Sequence, residues 1–409
     1  MANSKQNLSI RWFYLGVGVV AMLFAGIIYA WSILRDPLQV EFSWKDTDLA
    51  LNFTLTMCFF CVGAFLGGLV SKRIGTQISI IVPGLVAAAG LILTSRISSG
   101  SVIMLYIAYG VMAGIGIGMS YNVILSTVSA WFPDKKGLCS GVLLMGFGAS
   151  ALVLGKLAGA FISNADMGWR FAFRFLGISL GVVMVLAGLL LRKPPVGMTF
   201  PQPKASKAAG GESFEAKDYT TAEMVRRPTF WRAFICIVFL AAVGNSVISF
   251  ASQLAQKMGA GLELATTLVG VLSVCNGLGR ILTGAFFDAL GRRTTMLAAN
   301  ILTIVAAAVT LVAVLVSSLP LCVVGLCLTG LSYGSCPTVT SAFTSAFYGS
   351  KYFSTNFGVM NFNLMGASLM ATVSSTLLAL FNNNYLAPFV MLLALSVAAL
   401  VLNLSIRRP

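Results

Sequence analysis

Arg280 lies inside the apolar run 264–286, about 8 residues and roughly 12 Å along a helix from Asp288. A guanidinium held in hydrocarbon costs a few kcal/mol, so something must compensate its charge. It stays protonated and takes a carboxylate through two parallel hydrogen bonds. This placement points to binding of an organic anion; the alternative is capture by backbone carbonyls or by Asp288. Asn276 stands one helical turn earlier on the same face, placed to orient the guanidinium or to bond a hydroxyl or keto oxygen of a ligand, or else to pack against a neighbouring helix. Tyr121 and Tyr333 occupy similar places in the two halves of the chain. Each carries a hydroxyl on a flat apolar body, suited to closing a small anion off from water; simple helix packing is the alternative.

Other chemistries lack their residues. The chain has no histidine, the commonest general base, proton shuttle and metal ligand. None of its 12 acidic residues falls inside an apolar run. Cys58 and Cys61 are spaced C-x2-C but have no second pair, so no metal site and no disulfide framework is expected. Gly110, Gly114, Gly116 and Gly118 lie within an apolar span with no strand before them, which reads as close helix packing rather than a nucleotide loop. With no base, nucleophile or metal set in the spans, the sequence does not read as an enzyme, and no cofactor is expected.

The elements that must position these residues follow from composition. Of 409 residues, 58% are hydrophobic and 10% charged, too apolar and too poorly charged to cover a water-exposed surface. Apolar runs long enough to cross a bilayer fall at 12–34, 50–70, 78–95, 102–126, 138–162, 171–191, 230–252, 264–286, 294–317, 320–345, 355–380 and 385–405. The N-terminal stretch leads into the first run without a small-residue cleavage site and reads as a retained helix. With the N-terminus in the cytoplasm, 19 of the 27 Lys and Arg residues fall inside, 7 outside, and Arg280 alone in neither place. That asymmetry predicts both termini inside. It also reads the net charge of +15 as a topology signal rather than a nucleic-acid footprint. Lys156 and Arg174 lie near the outer interface, where long side chains reach water.

The one long polar stretch, from Lys193 to Pro228, divides six runs from six. The expected organisation is a bundle over 1–191, a cytoplasmic linker over 192–229 and a bundle over 230–409. GGLVSKRIG (67–75) and TGAFFDALGRR (283–293) follow the second run of each half, with Gly68 and Gly284 216 positions apart. Trp131 and Phe347, each after a fourth run, have the same separation. The expected fold is an all-α membrane protein of twelve transmembrane helices in two pseudo-symmetric six-helix bundles. Internal symmetry with a binding site between the halves is a transporter signature.

The sequence Gly284-x3-Asp288-x2-Gly291-Arg292-Arg293 resembles the cytoplasmic loop motif of the major facilitator superfamily. The resemblance implies gating contacts for Asp288, Arg292 and Arg293; the N-half copy has Lys72 where an acid is usual. The segments RWFYLG (11–16), AGIIYAWSIL (25–34), WFPDKKGLCSG (131–141), KDYTTAEMVRRPTFW (217–231), NGLGR (276–280) and NFGVMNF (356–362) look like the oxalate/formate antiporter family and its bacterial monocarboxylate relatives. That family lines its pocket with aromatics on spans 1, 4, 5, 10 and 11. The matching positions are Tyr29, Tyr121, Phe147, Tyr333 and Asn361, with Ile28 and Leu143 as apolar lining. The family's oxalate exchanger carries a second cation, a Lys on span 11, whose slot falls at about Leu364 here. One buried cation matches one carboxylate, because a dianion would leave an uncompensated charge in low dielectric. In animal monocarboxylate transporters the position of Asn276 is typically an Asp, so a protonatable carboxylate is missing.

The resulting expectation is a secondary active transporter of small monocarboxylates, of the lactate, pyruvate, formate or acetate type, in a bacterial inner membrane. It would work by alternating access, by proton symport or by anion exchange. Its partners would be the monocarboxylate anion, a proton in the symport version, and membrane lipid; the chain is expected to be monomeric and to bind no nucleic acid. A dicarboxylate antiporter of the oxalate/formate type and a non-transporting membrane anion sensor are the alternatives.

Overall fold

The computed structural model describes residues 9–98, 100–195, 198–201, 217–382 and 384–407. Part of the expected linker, with Lys204 and Lys207, lies outside the described residues, as do Lys5 and Arg408. The described residues of the apolar runs are predominantly helical. A lipid-embedded backbone must satisfy its own polar groups, and the helix does so within each span.

Among the described residues, twelve apolar segments follow in order. They are α1 (Ile10–Phe42), α2 (Thr47–Ile74), α3 (Ile78–Thr94), α4 (Val102–Ser129), α5 (Lys136–Ser163), α6 (Gly168–Leu190) and α7 (Pro228–Lys257). A continuous helical stretch, Leu262–Leu315, is broken at Gly291, whose φ of 76° no β-carbon-bearing residue adopts easily. It therefore supplies two segments, α8 (262–290) and α9 (292–315). The last three are α10 (Leu319–Tyr348), α11 (Phe353–Leu380) and α12 (Leu386–Leu404). A short helix, Thr221–Val225, precedes α7.

Several spans depart from the sequence expectation at their ends or interiors. α1 runs past the expected residue 34 to Phe42, carrying Arg35, Asp36 and Pro37 in its extension. A tighter 3₁₀ turn, Gly26–Ala30, interrupts it. α4 contains a π-helical stretch, Tyr106–Ala113, which pairwise sequence spacing does not reveal. α11 consists of Phe353–Met360 and Asn363–Leu380 with a break between them.

The chain forms two compact units, one of Met1–Lys204 with Phe353–Val359, the other of Ala205–Tyr352 with Met360–Pro409. In the first unit, small residues let backbones touch. A Cβ on Gly114, Gly116 or Gly118 would run into the backbone of Thr56, Pro83 or Phe60 respectively. The glycines of α4 are thus packing contacts with α2 and α3. Near the linker end of this unit Arg11 and Asp134 form an ion pair at 2.8 Å, and the Tyr14 and Trp131 rings lie 4.9 Å apart. At the opposite ends of its helices, Arg170 and Trp169 both bond the Glu41 carboxylate, at 2.7 and 2.6 Å. The first turns of α11 also pack in this unit. Asn122 donates to the carbonyls of Ala64 and Ser354, and Lys72 Nζ donates to Thr355 Oγ1 at 3.1 Å.

The second unit buries an apolar cluster that includes Val247, Phe250, Leu254, Leu326 and Phe389. Its linker entry is tied down by Tyr219 N–H donating to the Tyr348 carbonyl at 3.1 Å and Lys351 N–H donating to Asp218 at 3.0 Å.

Candidate functional site

The second unit carries Arg280 in the interior of α8, 2% exposed. Its Nε donates to Asn276 Oδ1 at 3.2 Å, the one-turn relationship that their spacing predicts. Asn276 thus supplies a neutral amide oxygen to the guanidinium. The facing helix is α10. A Cβ on Gly334 would meet the carbonyl of Asn276 and stand 3.0 Å from the Arg280 amide nitrogen, so α8 and α10 cross here at backbone contact. Four residues on, Thr338 Oγ1 donates to the Arg280 carbonyl at 3.2 Å.

Tyr333, beside Gly334, is buried, and its hydroxyl donates to Asn245 Oδ1 on α7 at 2.8 Å. Its ring lies against Gly244, where a Cβ would overlap the ring atoms. Asn361 is buried at the break in α11, its carbonyl accepting from the Leu364 amide at 3.0 Å. Leu364, where a second cation would stand, is half-buried. Asp288 and Arg292 are half-buried and Arg293 is exposed, with the Arg292 guanidinium 4.9 Å above the Phe347 ring.

In the first unit the expected aromatic residues meet one another. Tyr29 packs edge-on against Phe147 at 5.3 Å, and Phe147 packs against Tyr121 at 5.0 Å. Phe60 of α2 joins them, 5.0 Å from Tyr121 and 5.9 Å from Phe147. Phe357 stacks on Tyr121 at 6.1 Å. Ile28 and Leu143 are fully buried. Leu143 lies against Gly18, whose missing side chain makes room for it.

Sequence reasoning missed Phe60, Phe357 and Asn245 in these groups. Phe60 sits in an apolar run rich in Phe and Cys, where nothing separates it from ordinary packing. Asn245 did have a signal: it is an uncharged polar residue in the middle of a span, and such residues are costly there.

Twelve apolar segments, two compact units and a buried arginine in the eighth span are the frame for comparison with known proteins. Residues 13–372 and 234–409 match the Major Facilitator Superfamily. The chain belongs to that superfamily. Its members are transporters rather than enzymes, and this chain is a multi-pass membrane transporter. Its fold is that of the superfamily. The proton:xylose symporter XylE superposes with a TM-score of 0.76 at 13% identity, over 98% of this chain and 97% of the other. The transporter FucP superposes with a TM-score of 0.68 at 12% identity, over 97% and 99%. At such identity the likeness carries the fold alone.

Among sequences, the chain is similar to the oxalate:formate antiporter of Oxalobacter formigenes, 29% identical over 71% of this chain and 66% of the antiporter. It is 28% identical to the MFS-type transporter YhjX of Escherichia coli, over 74% of this chain and 72% of YhjX. It is 24% identical to monocarboxylate transporter 12-B of Danio rerio, over 67% of this chain and 60% of the other. The chain thus spans between 60% and 72% of the length of these relatives.

Proposed function

We propose that this superfamily member carries small monocarboxylates, of the lactate, pyruvate, formate or acetate type, across a bacterial cytoplasmic membrane by alternating access. The observation that carries this reading is the buried Arg280 whose guanidinium donates to a neutral amide. A guanidinium is matched by a single carboxylate through two parallel hydrogen bonds. Similarity to an oxalate:formate antiporter and to monocarboxylate transporters supports an organic-anion substrate. Leu364, an apolar residue at the slot of a second cation, favours a monocarboxylate over a dianion. Tyr29, Tyr121, Phe147, Ile28 and Leu143 supply aromatic and apolar lining, and Tyr333 and Asn361 supply polar contacts. Asp288, Arg292 and Arg293 belong to the cytoplasmic gate.

The reading includes a monomer with both termini in the cytoplasm, and bundles 1–191 and 230–409 joined by the linker 192–229. No acid or histidine stands in the expected span interiors. In a symport cycle the proton would therefore travel on the substrate carboxylate or on water, and in an exchange cycle the site would return only when reloaded.

Uptake into proteoliposomes tests the anchor. Arg280→Gln abolishes saturable uptake, and Arg280→Lys, which keeps charge but loses the fork, impairs binding. Normal transport by Arg280→Gln would overturn the assignment. A pH gradient alone drives uptake if the cycle is symport; a requirement for internal substrate identifies exchange. Preference for oxalate over lactate in the same vesicles would favour the dicarboxylate reading.

A further inference from the structure

A single polar layer crosses the second unit. Ser374 of α11 bonds Ser246 of α7 at 2.9 Å. Beside Ser246, Asn245 accepts the Tyr333 hydroxyl at 2.8 Å. Beside Tyr333, Gly334 lies in backbone contact with α8 between Asn276 and Arg280. Asn245 is thus joined through Tyr333 to the stretch of α10 that packs on the helical turn carrying Asn276 and Arg280.

The two partners in this layer have different hydrogen-bonding capacity left. The hydroxyl proton of Tyr333 points at Asn245 Oδ1. The amide nitrogen of Asn245 makes no hydrogen bond among the described residues, and the residue is only half-buried within its helix bundle. An amide NH2 is a donor without charge. It is suited to an oxygen that carries no full negative charge, and it complements a guanidinium that takes the carboxylate. Of the acids considered, lactate and pyruvate carry such an oxygen, the 2-hydroxy or 2-oxo group.

We infer that Asn245 is a specificity-determining residue that donates to the 2-oxo or 2-hydroxy oxygen of the substrate, with Tyr333 holding its amide in place. This rests on Arg280 as the carboxylate anchor and narrows the substrate class to 2-substituted short-chain acids. A site built to bond a substrate oxygen rejects the analogue that lacks it, because its polar group is then left unpaired.

The test compares lactate and pyruvate with propionate and acetate, as competitors of radiolabelled lactate uptake and as ligands in thermal-shift titrations of the purified full chain. Wild type prefers the 2-substituted pair. Asn245→Leu weakens lactate and pyruvate by about tenfold, roughly one hydrogen bond's free energy, and leaves propionate and acetate within about twofold. Asn245→Ala is read in the same way if the leucine variant does not yield folded protein. Tyr333→Phe, which keeps the Asn245 amide, retains part of the preference. Equal loss for all four acids, a profile identical to that of Tyr333→Phe, or no change would each overturn the inference, because Asn245 would then only support Tyr333 or serve packing. Failure of the anchor has a separate signature: Arg280→Gln would retain propionate binding whatever Asn245 does.

Discussion

Asn276 Oδ1 stands 3.2 Å from Arg280 Nε across one turn of α8, so a buried cation donates to a neutral acceptor. A carboxylate at that position would take the guanidinium for itself. Asn276→Asp is expected to form an intrahelical ion pair and to weaken substrate binding by about tenfold or more, since charge-assisted hydrogen bonds are roughly twice as strong as neutral ones. Asn276→Leu removes the orienting bond without a competing charge and is expected to weaken binding less. Substrate-induced thermal shifts of the three proteins check the order, and equal affinities would show that Asn276 does not orient Arg280.

Gly334 fixes how closely α10 approaches the helix that carries Arg280. A Cβ there would collide with the Asn276 carbonyl and reach 3.0 Å from the Arg280 amide nitrogen, and backbone atoms cannot swing aside as a side chain can. Gly334→Ala is expected to cost about 1–3 kcal/mol through overpacking. It should lower substrate affinity more than the same substitution at Gly16, whose Cβ would meet nothing within 4 Å. Unfolding temperature and ligand titration of both variants make the comparison. An unaffected Gly334→Ala protein would show that the two helices have slack where the contact predicts none.

How far these relationships were legible in the sequence depends on their range. The spans follow from apolar run length, and the Asn276–Arg280 pair follows from a four-residue spacing, because both are local consequences of helix geometry. The extension of α1 was hidden by Arg35, Asp36 and Pro37, which read as a loop but stand in a helix that continues to Phe42. The bond between Asn245 and Tyr333 spans 88 positions, and the packing of Phe60 against Tyr121 joins different helices. Such pairings are set by helix register and rotation in three dimensions, which periodicity along one helix does not encode. The Phe353–Val359 segment is the same case: it is continuous with α11, yet packs against Lys72 and Asn122.

Glu223 gives the linker exit a pH dependence whose sign can be worked out. Its carboxylate accepts from the Thr220 backbone N–H and hydroxyl, both at 2.8 Å, closing the cap of the helix Thr221–Val225. These bonds, the backbone one first, hold its pKa below the ordinary carboxylate value. The stabilisation is therefore fully present above the ordinary value and is lost as pH falls through the lowered one. Limited proteolysis of this segment should accelerate at acidic pH in the wild type. In Glu223→Gln, which keeps an acceptor but no titrating group, the rate should stay flat over the same range. A parallel acid response in both proteins would place the titrating group elsewhere.

The Arg11–Asp134 ion pair joins residues 123 positions apart, with side chains only 10% and 9% exposed. The same guanidinium lies 5.0 Å above the Phe132 ring, so the pair is packed into an aromatic surround. Removing one partner leaves a nearly buried charge uncompensated, and that costs more than the pair itself contributes. Asp134→Leu or Arg11→Leu alone is expected to destabilise by about 3 kcal/mol. The double variant Arg11→Leu/Asp134→Leu should recover much of the loss, since neither charge then remains to be solvated. A double-variant cycle read by thermal unfolding in one detergent measures the coupling directly. If the two single losses simply add, the pair carries no interaction energy, and the loop from Trp131 to Gly137 must be held by its aromatic contacts alone.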